Sequence, residues 1–164
     1  MAKKKKTNDS VSLIRKGIAA LASVLTFIFF FLEMIAYKVV GKNVLTGKEV
    51  VDTTGVKVSE FLFSEDFAKL RETYSTANTI LWIVFILTIL AIVATVLAFV
   101  MKQGAMFSKI GAGLLVVAML LMFIVGTDKT ELITTNYFTN ITVLYFVSLV
   151  LSVGGLASVA TLKK

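Results

Sequence analysis

Four long apolar stretches, separated by polar segments, are the feature that most limits what this chain can fold into. They cover residues 18–37, 79–101, 110–126 and 141–160, and the shortest of them has 17 residues. A helix rises about 1.5 Å per residue, so stretches of this length reach across most or all of a hydrocarbon core about 30 Å thick. Hydrophobic residues make up 57% of the 164 positions, more than a soluble domain carries. The sequence therefore predicts an all-α integral membrane protein whose four helices form a transmembrane bundle.

The distribution of basic residues predicts how the chain is oriented. With the N-terminus in the cytoplasm, the cytoplasmic parts hold ten basic residues and one acid, Asp9, whereas the outer loops hold seven basic residues and eight acids. An excess of lysine and arginine in short cytoplasmic flanks is the usual determinant of orientation. We therefore expect a protein of the cell membrane with both termini cytoplasmic. Residues 1–10 then form a basic tail on a single membrane domain, 11–164, with outer loops 38–78 and 127–140, an inner loop 102–109 and an inner tail 161–164.

The first outer loop is the only sizeable part outside the predicted spans, and its sequence changes character halfway. Short strands at Val44–Leu45 and Glu49–Val51, around a turn at Thr46–Lys48, predict a small β-hairpin, and Thr53–Gly55 predicts a second turn before a strand at Val56–Val58. Apolar residues then recur at helical spacing and predict a short amphipathic helix capped by Ser64. These residues, which are also the predicted contacts for a partner, are Phe63, Phe67, Leu70 and Tyr74.

The layout resembles that of claudin-type tetraspan proteins, which have four helices, a long first loop with β character and a shorter last loop. The resemblance is one of architecture alone. The motif of that family, a Trp followed by Gly-Leu-Trp with two cysteines in the first loop, does not occur here, since the chain has no cysteine and its one tryptophan, Trp82, lies in the second span. The resemblance therefore implies an arrangement of helices and loops, and no function is carried over from it.

Small residues concentrate in the inner half of every predicted span, whereas the outer halves carry aromatic and other bulky residues. Close helix contact in a membrane requires small side chains, because van der Waals packing drives helix association there. This asymmetry predicts a conical bundle that is tight inside and splayed outside, with the gap filled by aromatics or by an apolar ligand such as a lipid. The simpler interpretation is that the outer phenylalanines face acyl chains. The glycines predicted to mediate helix packing are Gly111, Gly113, Gly154 and Gly155.

Glu33 is the only charged residue within a predicted span, four residues before Tyr37 and about one helical turn from the outer interface. A carboxylate at that depth requires water, a partner or a proton. It could be a proton or cation site or a contact for another subunit, or it could simply be solvated or paired with a loop lysine. Possible partners at similar depth are Tyr145, Trp82, Lys38 and Lys129.

The sequence offers little for catalysis or for binding a cofactor. It contains no histidine or cysteine, and a lone Glu33 cannot supply the clustered groups that membrane hydrolases and transferases require. We therefore predict a protein that is not an enzyme and binds no cofactor, metal or nucleic acid. The function that fits best is an accessory, interaction or envelope-structural component in the lipid bilayer, whose outer loop contacts a membrane protein partner or another copy of the chain. The alternative is a channel or carrier formed by an oligomer that uses Glu33.

Overall fold

A computed structural model of the chain describes residues 2–42, 49–73, 75–127 and 143–162. The molecule is mostly helical and includes one small sheet. Its helices are α1 Ala2–Phe29, α2 Val58–Phe63, α3 Ala68–Thr73, α4 Ser75–Val100, α5 Gly104–Thr127 and α6 Val143–Ala160, with a 3-10 turn at Glu65–Phe67 between α2 and α3. Its strands are β1 Glu33–Lys42 and β2 Glu49–Lys57.

Four helices are long and apolar enough to cross a membrane, as the sequence predicts. The spanning portions are Ser10–Phe29, Ser75–Val100, Gly104–Ile124 and Val143–Ala160. The predicted bounds 18–37 of the first span are wrong, because α1 ends at Phe29 and its apolar part begins near Ser10. Backbone bonds from Phe30 to Phe27 and from Leu32 to Phe29 tighten the last turn of the helix, and the chain then becomes extended. The helix also extends back to Ala2, through the predicted basic tail.

The four long helices form an antiparallel bundle with two different ends. The three-residue turn Met101–Gln103 joins α4 directly to α5, and these two helices pack along their lengths, as α1 and α6 also do. One end, here called the basic end, carries the first turns of α5 and the last turns of α4 and α6. The opposite end, here called the hairpin end, carries β1, β2, α2 and α3.

The two strands form one antiparallel hairpin whose backbone pairing runs from Ile35 opposite Val56 to Lys42 opposite Glu49. The predicted first strand at Val44–Leu45 and the turn at Thr46–Lys48 lie outside the described residues. The predicted turn at Thr53–Gly55 is wrong, because these residues belong to β2 and pair with β1. The first strand comes instead from residues 33–42. The β-branched and aromatic residues of this segment favour an extended chain, although its apolar content predicts part of a membrane span.

Two short helices and a 3-10 turn replace the single amphipathic helix predicted after the hairpin. Val58 begins α2, where the sequence predicts the end of a strand. Ser64 is a cap, as predicted, because its side chain accepts a bond from the backbone N–H of Asp66 at 3.3 Å and so starts the 3-10 turn. The Ser64 backbone is itself extended, and this separates α2 from α3. The segment thus folds back on itself as a small cap over the bundle.

The core changes in residue size from one end of the bundle to the other. At the basic end and in the middle, the buried contacts are made largely by alanines, among them Ala19, Ala22, Ala91 and Ala112. At the hairpin end one cluster contains large side chains from the helices, the hairpin and α2, including Phe30, Met34, Val56, Phe61 and Met122. This size difference is the basis of the predicted conical shape, and the helix separation itself stays a prediction.

Candidate functional site

Glu33 lies at the start of β1 rather than inside a transmembrane helix, and its side chain is exposed. This corrects the prediction of a buried charge in the first span, and the reason is the early end of α1 at Phe29. The carboxylate lies against Gly55 on the neighbouring strand, where an added Cβ would be 2.5 Å from Glu33 Oε2. Water can therefore solvate Glu33, and the chemistry of a desolvated carboxylate does not apply to it.

The aromatic residues considered as partners of Glu33 have other contacts. The Tyr145 hydroxyl, fully buried, donates a 2.8 Å hydrogen bond to the backbone carbonyl of Met119 on α5. The ring of Trp82 packs edge-on against Phe63 at 5.2 Å and against Phe85 at 6.2 Å. The side chains of Lys38 and Lys129 lie outside those that the structure describes. Lys57, which lies opposite Glu33 at the base of the hairpin, is a charged neighbour that it does place there.

Lys57 ends β2 and forms an ion pair with Glu60 in the first turn of α2, with an N–O distance of 2.5 Å. The Glu60 carboxylate raises the pKa of Lys57 above its usual value of 10.5, first by accepting this hydrogen bond and second by its negative charge. The negative charge of Glu33 adds a smaller effect in the same direction. The junction between the hairpin and α2 therefore carries a compact, solvated charge cluster.

The four predicted contact residues of the loop do not form one helical face. Phe63 is 55% exposed at the end of α2, whereas Phe67 and Leu70 are half-buried against the large core cluster. Tyr74 lies outside the described residues. Phe63 therefore contributes to the surface at the hairpin end, and Phe67 and Leu70 attach the cap to the bundle.

A continuous set of aromatic rings connects the cap to the first two spans. Phe63 lies 5.5 Å from Phe85 on α4, and Phe85 lies 5.7 Å from Phe27 on α1. Phe27 in turn lies 5.5 Å from Phe31, which is 48% exposed. These contacts hold α2 against α4 and α4 against α1, and so give the cap a fixed position on the bundle.

Arg71 anchors the cap, although no sequence motif indicates this role. Its guanidinium donates hydrogen bonds of 2.7 Å to the backbone carbonyls of both Phe61 and Ser64. The Phe61 carbonyl lies in the last turn of α2, where carbonyls lack helical donors and carry the negative end of the helix dipole. The Ser64 carbonyl lies just beyond α2 and also accepts the backbone N–H of Phe67 at 3.4 Å. A cation that binds both carbonyls fixes α3 relative to α2. One guanidinium nitrogen, Nη1, donates both bonds, and the arginine itself is the only signal of this role in the sequence.

The four predicted packing glycines divide into two pairs. A Cβ on Gly111 would lie 2.7 Å from Thr95 Cγ2 and 2.8 Å from the carbonyl oxygen of Ala91, so α4 and α5 approach closely there. A Cβ on Gly155 would lie 3.2 Å from the Cβ of Ala22, where α6 meets α1. A Cβ on Gly113 or Gly154 would meet nothing within 4 Å. On α5, Gly111 therefore lies at a helix contact and Gly113 does not; on α6, Gly155 lies at a contact and Gly154 does not.

Two basic residues connect α1 to the other helices at the basic end. The Arg15 guanidinium donates a 2.8 Å bond to Thr161 Oγ1, just beyond α6. The Lys16 ammonium donates a 3.2 Å bond to the carbonyl of Ala98 in the last turn of α4, where a cation offsets the helix dipole. The charges of these two residues contribute to the predicted orientation, but the sequence does not predict their contacts.

Within the described part of the chain, the polar residues buried in the bundle are serines and threonines. Ser23, Thr88, Thr95, Ser148 and Ser152 each donate to a carbonyl of their own helix, which is the common arrangement for such residues in apolar surroundings. Among the residues that the structure describes, no group of three or more His, Cys, Asp or Glu side chains could hold a metal ion. The described geometry therefore shows surfaces and packing contacts.

The fold and the hairpin end together define a class: a multi-pass membrane protein whose four apolar helices carry a folded cap and hairpin at one end. A scan against protein-family models found no match, and neither the curated proteins nor the solved structures contain one that matches the chain.

Proposed function

We propose that this chain is a non-enzymatic accessory, interaction or envelope-structural component of the cell membrane that acts through its hairpin end. In this proposal both termini are cytoplasmic and the hairpin end faces outward. The excess of basic residues in the short segments at the basic end supports this orientation. The partner is another membrane protein or a second copy of the chain.

The observation that supports the proposal most is the way in which the hairpin is attached to the bundle. Ile35 and Val56, a cross-strand pair at the base of the hairpin, are 6% and 4% exposed and belong to the same core cluster as the helices. Beyond this pair the strands stay paired as far as Lys42 and Glu49, about 24 Å along β1 at 3.4 Å per residue. A hairpin with a buried base and a long paired extension is well suited to present a binding surface.

Phe63 adds an apolar contact at the same end. It is 55% exposed, and its ring is held edge-on between Trp82 and Phe85. An exposed aromatic side chain that is already fixed by its neighbours loses little conformational entropy when a partner covers it. The hairpin and Phe63 together therefore form the proposed contact surface.

A second candidate function is a channel or carrier made by an oligomer in which each copy contributes Glu33. The exposed position of the Glu33 carboxylate at the hairpin end supports it, since several copies could bring these carboxylates together at the mouth of a pore. Reconstituted vesicles would then show a cation flux that the Glu33→Gln variant loses. Equal flux in both proteins, or none in either, would exclude this function for Glu33.

The experiment that tests the main proposal is recovery of the tagged protein from native membranes in mild detergent, followed by mass spectrometry and subunit counting. One variant combines Phe63→Ser with replacement of residues 38–53 by a flexible Gly/Ser linker of the same length. The matched control is Lys102→Gln, an exposed substitution at the basic end. We expect a stoichiometric partner, or a second copy, with the wild type and the control and its loss with the hairpin variant. Recovery that does not change in the hairpin variant would contradict the proposal.

A further inference from the structure

The hairpin has a long backbone edge on each side. Within the described residues the sheet consists of β1 and β2 alone, with ten and nine residues. Each strand therefore has one row of N–H and C=O groups that no described strand pairs with, and such rows are templates for pairing with another chain. A two-stranded hairpin is also only marginally stable by itself, so added strands would stabilise it.

We propose that β1 of one copy pairs with β2 of a neighbouring copy in the same membrane, so that hairpins join edge to edge into one extended antiparallel sheet. The inference rests on the proposed function and deepens it, because it names the partner as a second copy and the contact as β1 with β2. The membrane and the charges of the two strands favour this pairing over the others.

The membrane restricts how two copies can meet. All copies have the same orientation in the bilayer, so every β1 runs away from its bundle and every β2 runs back toward it. Pairing β1 with the neighbour's β1 would therefore be parallel, and so would pairing β2 with β2. Pairing β1 with the neighbour's β2 is antiparallel, like the pairing within one hairpin. Antiparallel pairing is slightly more stable per residue and thus favours this combination.

The charges of the two strands favour the same combination. Beyond the buried base, β1 has Lys38 and Lys42 as its only charged residues, and β2 has Glu49 and Asp52. The register places Glu49 at a position on the same face as the two lysines, and Asp52 at a position on the other face. Opposite charges on neighbouring strands stabilise a sheet, whereas like charges directly opposite each other destabilise it. A neighbour's β2 would bring Glu49 to the face of β1 that carries the lysines, whereas a neighbour's β1 would bring lysines beside lysines.

The attachment of the hairpin to the bundle makes the contact repeatable. The buried pair of Ile35 and Val56 fixes the base of each hairpin at one position relative to its helices. Copies standing side by side therefore present their edges at the same height above the membrane. Because a contact between β1 and β2 is heterologous, it repeats from copy to copy and produces either a closed ring or an open row.

Disulfide cross-linking in native membranes tests the pairing, and the absence of cysteine from the chain makes the background clean. Two full-length forms with different tags are co-expressed. One carries a cysteine on β1 at Lys38, Val40 or Lys42, and the other carries a cysteine on β2 at Glu49, Val51 or Thr53; these six residues form three cross-strand pairs on one face of the hairpin. The control pair replaces Lys102, at the opposite end of the bundle, by cysteine in both forms.

We expect cross-links between the two different tags at one register, with a yield above that of the Lys102→Cys control. Links predominantly between identical tags would show β1 with β1 or β2 with β2 and would overturn the inference. Cross-linking at the control level throughout the nine combinations would overturn it as well. If partner recovery still depended on the hairpin in that case, the proposed function would stand and only the second copy as partner would fail.

Discussion

The side chain of Glu33 lies across Gly55, so that a Cβ at position 55 would be 2.5 Å from Glu33 Oε2 and 3.2 Å from Glu33 Cβ. Glu33 is the first residue of β1, and Gly55 lies in the interior of β2 opposite Ala36. Glycine within a strand weakens it unless another group approaches closely, and here the approaching group is Glu33. This relationship explains why a glycine that the sequence predicts as a turn is part of a strand.

Gly55→Ala should therefore destabilise the hairpin, because the new methyl group displaces the Glu33 side chain. We expect a loss of roughly 1 kcal/mol in the free energy of unfolding, the lower range for overpacking, since the far end of Glu33 is mobile. In a Glu33→Ala background the same change should cost less, because alanine favours a strand more than glycine does. Thermal unfolding of the wild type, the two single variants and the double variant in one detergent measures the coupling between positions 33 and 55. Equal costs of Gly55→Ala in both backgrounds would contradict the contact.

The pKa of Lys57 should depend on Glu60 more than on Glu33. Both carboxylates raise the pKa of Lys57 above 10.5, and Glu60 acts more strongly because it also accepts the hydrogen bond. Glu60→Gln should therefore lower the pKa of Lys57 by more than Glu33→Gln does. NMR titration of the Lys57 side chain, labelled by selective methylation of lysines, measures the pKa of Lys57 in the wild type and in each of the two variants. A larger effect from Glu33→Gln would contradict the arrangement.

The raised pKa of Lys57 also determines how the stability of the fold depends on pH. The pKa of Lys57 is higher in the folded protein than in the unfolded chain, so the folded state binds this proton more tightly. The resulting stabilisation is complete below pH 10.5 and is lost as the pH rises through the folded value. Unfolding measured above pH 10.5 should therefore show a smaller dependence on pH in Glu60→Gln than in the wild type, and an unchanged dependence would contradict the ion pair.

Gly111 and Gly113 should respond differently to the same substitution. Gly111→Ala places a methyl group 2.7 Å from Thr95 Cγ2 and 2.8 Å from a backbone oxygen, so α4 and α5 must separate. We expect a loss of about 1–3 kcal/mol for this change. The methyl group of Gly113→Ala meets nothing within 4 Å. This change should be neutral or stabilising, since alanine has a higher helix propensity than glycine. Thermal melting in detergent compares the two variants, and equal melting temperatures would show that α4 and α5 do not pack closely at Gly111.

Arg71→Gln should loosen the cap while leaving the four long helices folded. The change removes two charge-assisted bonds to the carbonyls of Phe61 and Ser64, each contributing about 1.5–3 kcal/mol when made by a charged group. Hydrogen exchange of residues 58–73 should become faster, with little change in α4 and α5. Glu72→Gln, at an exposed neighbouring position, is the matched control and should leave exchange unchanged. Equal protection in the two variants would show that Arg71 does not anchor the cap.

The sequence predicts the helices of this fold better than the path of the chain between them. Long apolar runs predict spanning helices because few other structures satisfy the hydrogen bonds of the backbone in lipid. All four spanning helices are present. The predicted end of the first span is wrong because apolar content does not distinguish a helix from a strand. Residues 34–40 contain one charge, Lys38, and a high share of residues that favour strands, so the same segment fits both structures.

The candidate site depends on contacts that periodicity does not encode. The apolar neighbours of Glu33 predict a position in the membrane, yet the turn after Phe29 places it on an exposed strand. The role of Arg71 follows from the fold of α2 back onto α3, which brings residues 61 and 71 together. Glycine spacing was similarly ambiguous, because two adjacent glycines such as Gly154 and Gly155 necessarily face different directions on a helix.

Thr26→Val should raise the stability of the protein, because the Thr26 hydroxyl is fully buried and has no hydrogen-bond partner in the described part of the chain. An unpaired buried hydroxyl carries a desolvation cost of about 1–3 kcal/mol, and valine has nearly the same shape without this cost. Thr88→Val is the matched control, since Thr88 is equally buried but donates a 2.9 Å bond to the carbonyl of Val84. Thermal melting in detergent should show a higher midpoint for Thr26→Val and an unchanged or lower midpoint for Thr88→Val. A midpoint lower for Thr26→Val than for Thr88→Val would mean that the Thr26 hydroxyl binds a group, such as a water molecule, that holds α1 in the bundle.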